Sequence, residues 1–392
     1  MTPIVSSLLS ERPPAQADVA VIGAGITGTC ASLFLAERGV RVCLIDRAMP
    51  WSEASGVNAG TLTVQGEFIE TIPLTKLSVD LWQQFEVDRG LKIGFKRSGG
   101  LRVATNAVER AELMAGSEER RRRWSLPIEW LEGSALMSAA PWLGERVACA
   151  SYCSEDGYCS PLTAAHALIE ATVRAGATLV ANAAVQSIQR LGNGYRIETQ
   201  RGRIDATSVA ITAGPWSSAL TGMLGMPLPT YLDIDMLSVT EPAPPVMHGL
   251  VTHAGGLLSL KQFPNGSVVI GGGWQGKGRF AAMEGLDQTR LLQNLAFAAS
   301  IVPGLAELRI LRSWSGYEGV APDGVPVIGP IPGAEHAYVA AITRGGYTHG
   351  PALALLLAEL ILDGKPRLPI RQFYPDRLST GAARQATKET VQ

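Results

Sequence analysis

The segment 18–46 constrains this chain more than any other. Residues 18–22 (Asp–Val–Ala–Val–Ile) form a short apolar run, the pattern of a strand buried on both faces of a parallel sheet. Gly23–Ala24–Gly25–Ile26–Thr27–Gly28 follows at once. Residues 29–38, with apolar Leu33, Phe34 and Ala36, predict a helix that stops at Gly39. A second apolar strand is expected over 40–45, ending at Asp46. A Gly-x-Gly-x-x-Gly run is weak by itself. Set between strand and helix, with an acidic residue 18 positions beyond the third glycine, it reads as a dinucleotide site. Gly23 makes the tight turn, Gly25 lets backbone approach a pyrophosphate, and Gly28 lets the helix pack closely on the sheet. The helix N-terminus, with Ile26 and Thr27, presents unpaired N–H groups and a positive dipole end to the phosphates. Asp46, with Arg47 beside it, is expected to accept from the ribose hydroxyls of the adenosine half.

At 392 residues the chain is long for a single core, and two structural regions are expected. The net charge of -1 gives no general electrostatic footprint for nucleic acid or an anionic membrane. No apolar run reaches the ~18–20 residues that span a bilayer. The stretch 1–17 lacks the apolar core of a signal peptide and reads as a frayed extension, so a cytoplasmic location is expected. The five cysteines, Cys30, Cys43, Cys149, Cys153 and Cys159, are odd in number, which argues against a disulfide framework. Cys149, Cys153 and Cys159 are too loosely spaced, and lack a fourth ligand, for an iron–sulfur or zinc site, so free thiols and no metal are expected. The charge run 118–123 (Glu–Glu–Arg–Arg–Arg–Arg) reads as a solvated helix end, with a docking patch for a partner subunit or electron acceptor as the alternative.

A second glycine-containing loop separates FAD from NAD. Small residues at Ser55, Gly56, Ala59 and Gly60, with Thr61 after them, let this loop run alongside an extended cofactor. Ser55 and Asn58 are placed to hydrogen-bond the pyrophosphate or the flavin side. An NAD enzyme more often continues here with ordinary alternation of strand and helix.

With these two loops, the chain resembles the D-amino-acid-oxidase-like FAD oxidoreductases. Relatives in that family include glycine oxidase, sarcosine oxidase and the flavin subunits of amino-acid and opine dehydrogenases. The resemblance covers about residues 17–375 and has several stations in order. Both loops match. So do Asp156–Gly157 with Pro161, and 210–217 (Ala–Ile–Thr–Ala–Gly–Pro–Trp–Ser), which contains Ala213, Gly214 and Trp216. The most specific match is 314–329, Trp–Ser–Gly–Tyr–Glu–Gly followed by Ala321–Pro–Asp–Gly–Val–Pro–Val–Ile–Gly329. The stretch 343–351 (Thr–Arg–Gly–Gly–Tyr–Thr–His–Gly–Pro) before an apolar helix resembles the closing loop.

The resemblance implies an α/β fold, with a Rossmann-like FAD-binding domain of the glutathione-reductase type and an inserted antiparallel-sheet substrate domain. The expected FAD domain is discontinuous, over 17–85, 146–219 and 316–375. The expected substrate domain takes 86–145 and 220–315, and 1–16 and 376–392 are flexible termini. A helix is expected over 161–175, a strand over 177–188, a hairpin over 195–211 turning at Gly202, strand-like runs at 236–240, 257–263 and 267–270, and a helix over 287–302.

The family implies oxidation of a small amino-acid-like amine by hydride transfer to flavin. Val185 falls where the family contacts adenine through its backbone. Arg344 is the first choice for positive charge beside the flavin N1–C2=O edge, helped by the N–H groups of Gly345, Gly346, Tyr347 and Thr348, with a surface salt-bridge arginine as the alternative. Glu318 stands where glycine oxidases carry an arginine for the substrate carboxylate. A glutamate there suits a protonated amine or guanidinium arm, or a structural partner for Arg312. Tyr317, Tyr347, His253, Lys261 and Trp274 are candidates for the substrate cavity, with a packing or surface role as the alternative for each. Residues 313–323 contain no cysteine, so non-covalent FAD is expected. The pattern Tyr317–Glu318–Gly319 resembles the flavin subunits of multi-subunit dehydrogenases, which hand electrons to partner subunits or another acceptor. A self-sufficient oxidase forming hydrogen peroxide, and a flavin-binding subunit without catalysis, are the alternatives.

Overall fold

A computed structural model describes residues 7–279, 282–341 and 344–378. Thr343 of the closing loop, and residues 1–6 and 379–392 of the termini expected over 1–16 and 376–392, lie outside the described residues. The described residues build two eight-stranded sheets and two small two-stranded ones. The first runs Val327–Pro330, Ala337–Ala341, Gly202–Ile211, Gln16–Ile22, Val42–Ile45, Thr178–Val180. Val185–Leu191 and Gly194–Thr199 extend it as a hairpin off Gly202–Ile211. Its centre is parallel: Gln16–Ile22 lies between Gly202–Ile211 and Val42–Ile45. These central strands are apolar throughout because both their faces are covered. Helices Ile26–Glu37, Ile72–Val87 and Gly346–Asp363 pack together in one cluster, and a second cluster lies on Ala20, Ile22, Cys43 and Ile45.

The second sheet runs Ile310–Val320, Tyr231–Thr240, Val268–Gly271, Ser259–Gln262, Leu250–His253, Gly100–Ala104, Cys149–Cys153, Ile128–Glu132. Helix Gln288–Ile301, capped by the Asp287 carboxylate, packs its Ala298 and Ile301 on Leu260, Val268 and Ile270 of this sheet.

Several expectations are adjusted. The first helix begins at Ile26, because Gly25 serves as its extended N-cap and no residue of the loop is left over. The strand expected over 177–188 is two strands in different parts of the sheet. Asn182 breaks it at φ +52°, a left-handed conformation asparagine tolerates. The second sheet is mixed, since Leu250–His253 pairs in parallel with Gly100–Ala104. Strands Cys149–Cys153 and Ile310–Val320 both belong to this second sheet, so it takes in parts of the expected segments 146–219 and 316–375. Pairing with Tyr231–Thr240 over ten register positions carries Ile310–Val320 through residue 316 without a break.

All five cysteines are buried and free. Cys149 and Cys153 lie at the two ends of one strand, and among the described residues no group of three or more His, Cys, Asp or Glu side chains is arranged to hold a metal. No helix among the described residues is long and apolar enough to cross a membrane. In the charge run, Arg121 and Arg123 pair with Glu118 and Glu70 at the surface. Arg120 departs from the solvated reading: it reaches inward and donates to the Glu67 carbonyl at 2.7 Å.

Candidate active site

The first glycine loop is held together by contacts that leave no room for side chains. Gly23 sits at φ +109°, which favours glycine. A Cβ on Gly28 would lie 1.9 Å from the Gly23 carbonyl oxygen. Gly28 is therefore a packing residue beneath the loop, as the motif requires. The second loop closes over the first. The Ile26 N–H donates to Ser55 Oγ at 2.9 Å, and a Cβ on Gly25 would meet that same oxygen at 2.9 Å. Asn58 is spent on its own loop: Nδ2 donates to the Ser55 carbonyl at 2.7 Å, and Oδ1 accepts from the Gly60 N–H at 2.6 Å. It shapes the loop, where a direct cofactor bond had been one expectation. Gly60, at φ +75°, turns the chain against the Cys159 carbonyl.

Asp46 ends its strand with the carboxylate accepting from the Ala24 N–H at 2.6 Å and the Ala48 N–H at 2.8 Å. Burial raises its pKa. Arg47 stacks 3.8 Å over the Trp216 ring and pairs with Glu53 at 2.7 Å.

These residues line one cavity of about 610 Å³. Of the expected site residues, Gly23, Gly25, Ile26, Thr27, Asp46, Arg47, Ser55, Asn58, Ala59, Thr61, Val185, Ala213, Gly214, Trp216, Tyr317, Glu318 and 345–348 all border it, as does His253. Gly28 and Gly60 stand behind its wall. The donor set fits an extended dinucleotide. Glycines allow close approach at one end, and a carboxylate sits at the end of the second strand. Across the cavity lies the N-terminus of helix Gly346–Asp363, whose first N–H groups have no partner within the helix.

Three expectations are corrected. Arg344 does not line the cavity. Its guanidinium pairs with Asp233, and its side chain is 49% exposed. Asp233 stands directly opposite Glu318 on the neighbouring strand, so the sheet itself supplies a counter-ion that draws Arg344 outward. Lys261 does not line the cavity either. It is fully buried, and its Nζ donates to the Ala59 carbonyl at 2.8 Å and to Thr61 Oγ1 at 2.6 Å, bracing the second loop from the other sheet. Burial pushes its amine down to about 7. Trp274 lies outside the cavity and donates from its indole to the Leu257 carbonyl.

Glu318 has another partner than Arg312, which lies instead over the Trp314 ring. Its Oε1 accepts from the Gly345 N–H at 3.1 Å, and its carboxyl hydrogen-bonds Asp235. Burial and repulsion from Asp235 push Glu318 upward, so the two carboxyls hold a proton between them. Tyr317 makes an edge contact with Trp216 at 6.0 Å. Tyr347 is buried between Trp51 and Trp82.

Sequence reading missed four charged groups at this cavity: Glu53, which pairs with Arg47, and Glu67, Arg102 and Asp235. Arg102 and Asp235 sit on strands with ordinary alternation, and Glu67 lies in a loop with no motif. It also missed what positions Glu67. Asp156, fully buried, accepts from the N–H groups of Val64 and Gln65, from Gln65 Nε2 and from Thr63 Oγ1, and so fixes the loop 63–67.

Glycine oxidase of Geobacillus kaustophilus is 28% identical over 360 residues, 88% of this chain and 92% of that protein. One of the subunits of opine oxidase from Rhizobium meliloti is 25% identical, covering 89% of this chain and 94% of that polypeptide. The crystal structure of L-proline dehydrogenase from P. horikoshii superposes with a TM-score of 0.86 at 25% identity, covering 94% of this chain and 99% of that one. Residues 18–360 match the DAO family, described as FAD dependent oxidoreductase. Glycine loops, terminal carboxylate, helix N-terminus and this match agree, and the chain belongs to the DAO family of FAD dependent oxidoreductases.

Proposed function

We propose that this protein oxidises the C–N bond of a small amino acid or secondary amine by hydride transfer to non-covalently held FAD. The reading is carried by one cavity that joins the dinucleotide loops to a cluster of charged side chains, Glu67, Arg102, Asp235 and Glu318. FAD, when bound, supplies the hydride acceptor. The chain's part is to bind and orient. The glycine loop and the N-terminus of helix Ile26–Glu37 hold the pyrophosphate, Asp46 the ribose, and Val185 the adenine end. The N–H groups of Gly346, Tyr347 and Thr348 supply the positive pole for the flavin's N1–C2=O edge, the role first expected of Arg344. Tyr317 and Glu318 form the wall on the substrate side. No cysteine borders the cavity among the described residues, and the His253 ring is engaged by Glu109 at 3.0 Å and by the Gly255 N–H, which supports a non-covalent flavin.

The relatives named above act on glycine, opines and L-proline by their names, which supports an amino-acid substrate here. The opine oxidase relative is by its name one component of an assembly, and this chain covers 94% of it. The protein is accordingly a flavin subunit of a cytoplasmic dehydrogenase that passes electrons to a partner. Glycine oxidase similarity supports a second reading, a self-sufficient oxidase. The test is an anaerobic screen for bleaching of the flavin band with D- and L-amino acids, sarcosine, proline and hydroxyproline isomers, and opines. Bleaching by none of them refutes amine oxidation. Stoichiometric hydrogen peroxide from the chain alone in air selects the oxidase.

A further inference from the structure

Two ionisable side chains, one acidic and one basic, border the cavity without pairing with each other. Glu67 is 9% exposed. Its side chain accepts no hydrogen bond among the described residues, and His349 Nε2, 3.8 Å away, belongs to an imidazole that burial keeps neutral. The backbone of Gly345 presses against it, since a Cβ there would lie 2.7 Å from Glu67 Oε1. Arg102 is held in place by two backbone carbonyls, Gln65 at 3.3 Å and Ala254 at 2.9 Å. Its Nε is buried and donates to nothing in the described structure. Arg102 and Glu67 feel each other electrostatically but form no ion pair, because Arg102 is tied to the carbonyls on either side.

A buried carboxyl group that ionises only when a cation meets it, and a buried guanidinium without a counter-ion, each lack a partner. A molecule carrying both an ammonium and a carboxylate satisfies both at once. We propose that Arg102 and Glu67 form a zwitterion clamp, in which Arg102 takes the α-carboxylate of an amino-acid substrate and Glu67 takes its α-ammonium. The assignment deepens the amine-oxidation reading and rests on it for the identity of the ligand. It also accounts for Glu318. Where the resemblance implies an arginine for the carboxylate, this chain has a glutamate tied to Asp235 and Gly345, and the guanidinium comes from another strand of the same sheet. Guanidinium suits a carboxylate because it offers two parallel N–H donors.

The test uses the FAD-loaded protein and three probes of one shape: L-proline, pyrrolidine without the carboxylate, and cyclopentanecarboxylate without the amine. Sarcosine and glycine, with methylamine and acetate, serve as a second set. Binding is read anaerobically from the rapid perturbation of the flavin spectrum that precedes any bleaching. The zwitterion of at least one set binds roughly 30-fold or more tightly than either stripped analogue, the scale expected when a buried charge is left unpaired. Arg102→Met removes that preference by weakening the zwitterion and leaving the amine probe within about 3-fold, and Arg102→Lys restores part of it. Glu67→Gln weakens the zwitterion and the amine but not the carboxylate. FAD content and thermal midpoint establish that each variant is folded, and the wild-type comparison stands if one is not. Zwitterions binding no better than their analogues, or both variants weakening every probe equally, overturns the clamp. Bleaching by pyrrolidine as readily as by proline sinks the clamp and leaves amine oxidation standing. Tight zwitterion binding with no bleaching by any amine does the reverse.

Discussion

Glu318 accepts the backbone N–H of Gly345 at 3.1 Å, so a strand of the second sheet is tied to the residue that opens the last long helix of the first. The bond orients the N-terminus of Gly346–Asp363 toward the cavity. Glu318→Ala leaves that N–H without its acceptor, and the dissociation constant for FAD is expected to rise about 10-fold, the equivalent of one lost hydrogen bond to a carboxyl group. Glu318→Gln keeps an acceptor oxygen and shifts affinity less than about 3-fold. Flavin fluorescence titration of the apoprotein reads both, and equal losses in the two variants contradict this role.

The two glycines of the first loop respond differently to a methyl group. Gly28→Ala places a Cβ 1.9 Å from the Gly23 carbonyl oxygen, a clash with a backbone atom that no side-chain rotation relieves. The variant is expected to be insoluble or markedly less stable. At Gly25 the methyl meets only Ser55 Oγ, which rotates away. Gly25→Ala folds, but backbone no longer reaches the pyrophosphate, and FAD affinity falls roughly 100-fold. Circular dichroism separates the two outcomes from flavin loss. A Gly25→Ala protein that retains full flavin argues against the pyrophosphate assignment.

Asp156 organises the loop that carries Glu67. Removing a buried carboxylate that accepts four hydrogen bonds from Val64, Gln65 and Thr63 leaves those donors unpaired. Asp156→Ala is expected to cost about 3 kcal/mol or more, seen as a thermal midpoint lower by roughly 4 °C or more. An unchanged midpoint removes Asp156 from this role.

The pH dependence of stability has two opposed windows. Burial, with Glu318 nearby, pushes Glu67 from 4.5 to about 8. Between these values the folded protein binds more protons than the unfolded chain, so this group's contribution is full below pH 4.5 and is lost as pH rises through 8. Asp156, Arg102, Arg120 and His349 face the same group; burial raises Asp156 and lowers the other three. Burial depresses Lys261 from 10.5 to about 7, so the folded state there binds fewer protons and stability rises with pH between 7 and 10.5. Glu67→Gln flattens the fall of the thermal midpoint between about pH 5 and 8, and Lys261→Met flattens the rise above about pH 8. Midpoint curves that keep the wild-type slope in either variant contradict the assignment.

The first βαβ unit, the second loop and the order of the stations were legible in the sequence because each depends on neighbours along the chain. A glycine turn, an apolar strand and a helix N-terminus are set by residues within one turn or one strand of each other. Gly23, Gly25, Gly28 and Asp46 therefore pointed to the cofactor by themselves. The partners of the charged residues were decided only in three dimensions. Arg344 and Glu318 stand on the chain where a cofactor or substrate contact is expected, yet the register that sets Asp233 opposite Glu318 turned Arg344 outward and tied Glu318 to Gly345 and Asp235. Glu67 and Arg102 lie 35 residues apart with no motif around either. They border one cavity because Asp156 and Gln65 bind the loop of one to the strand of the other. Local sequence determined that this chain holds FAD. Long-range pairing determined which charges face what the flavin acts upon, because a side chain's counter-ion is chosen by the sheet that brings it near.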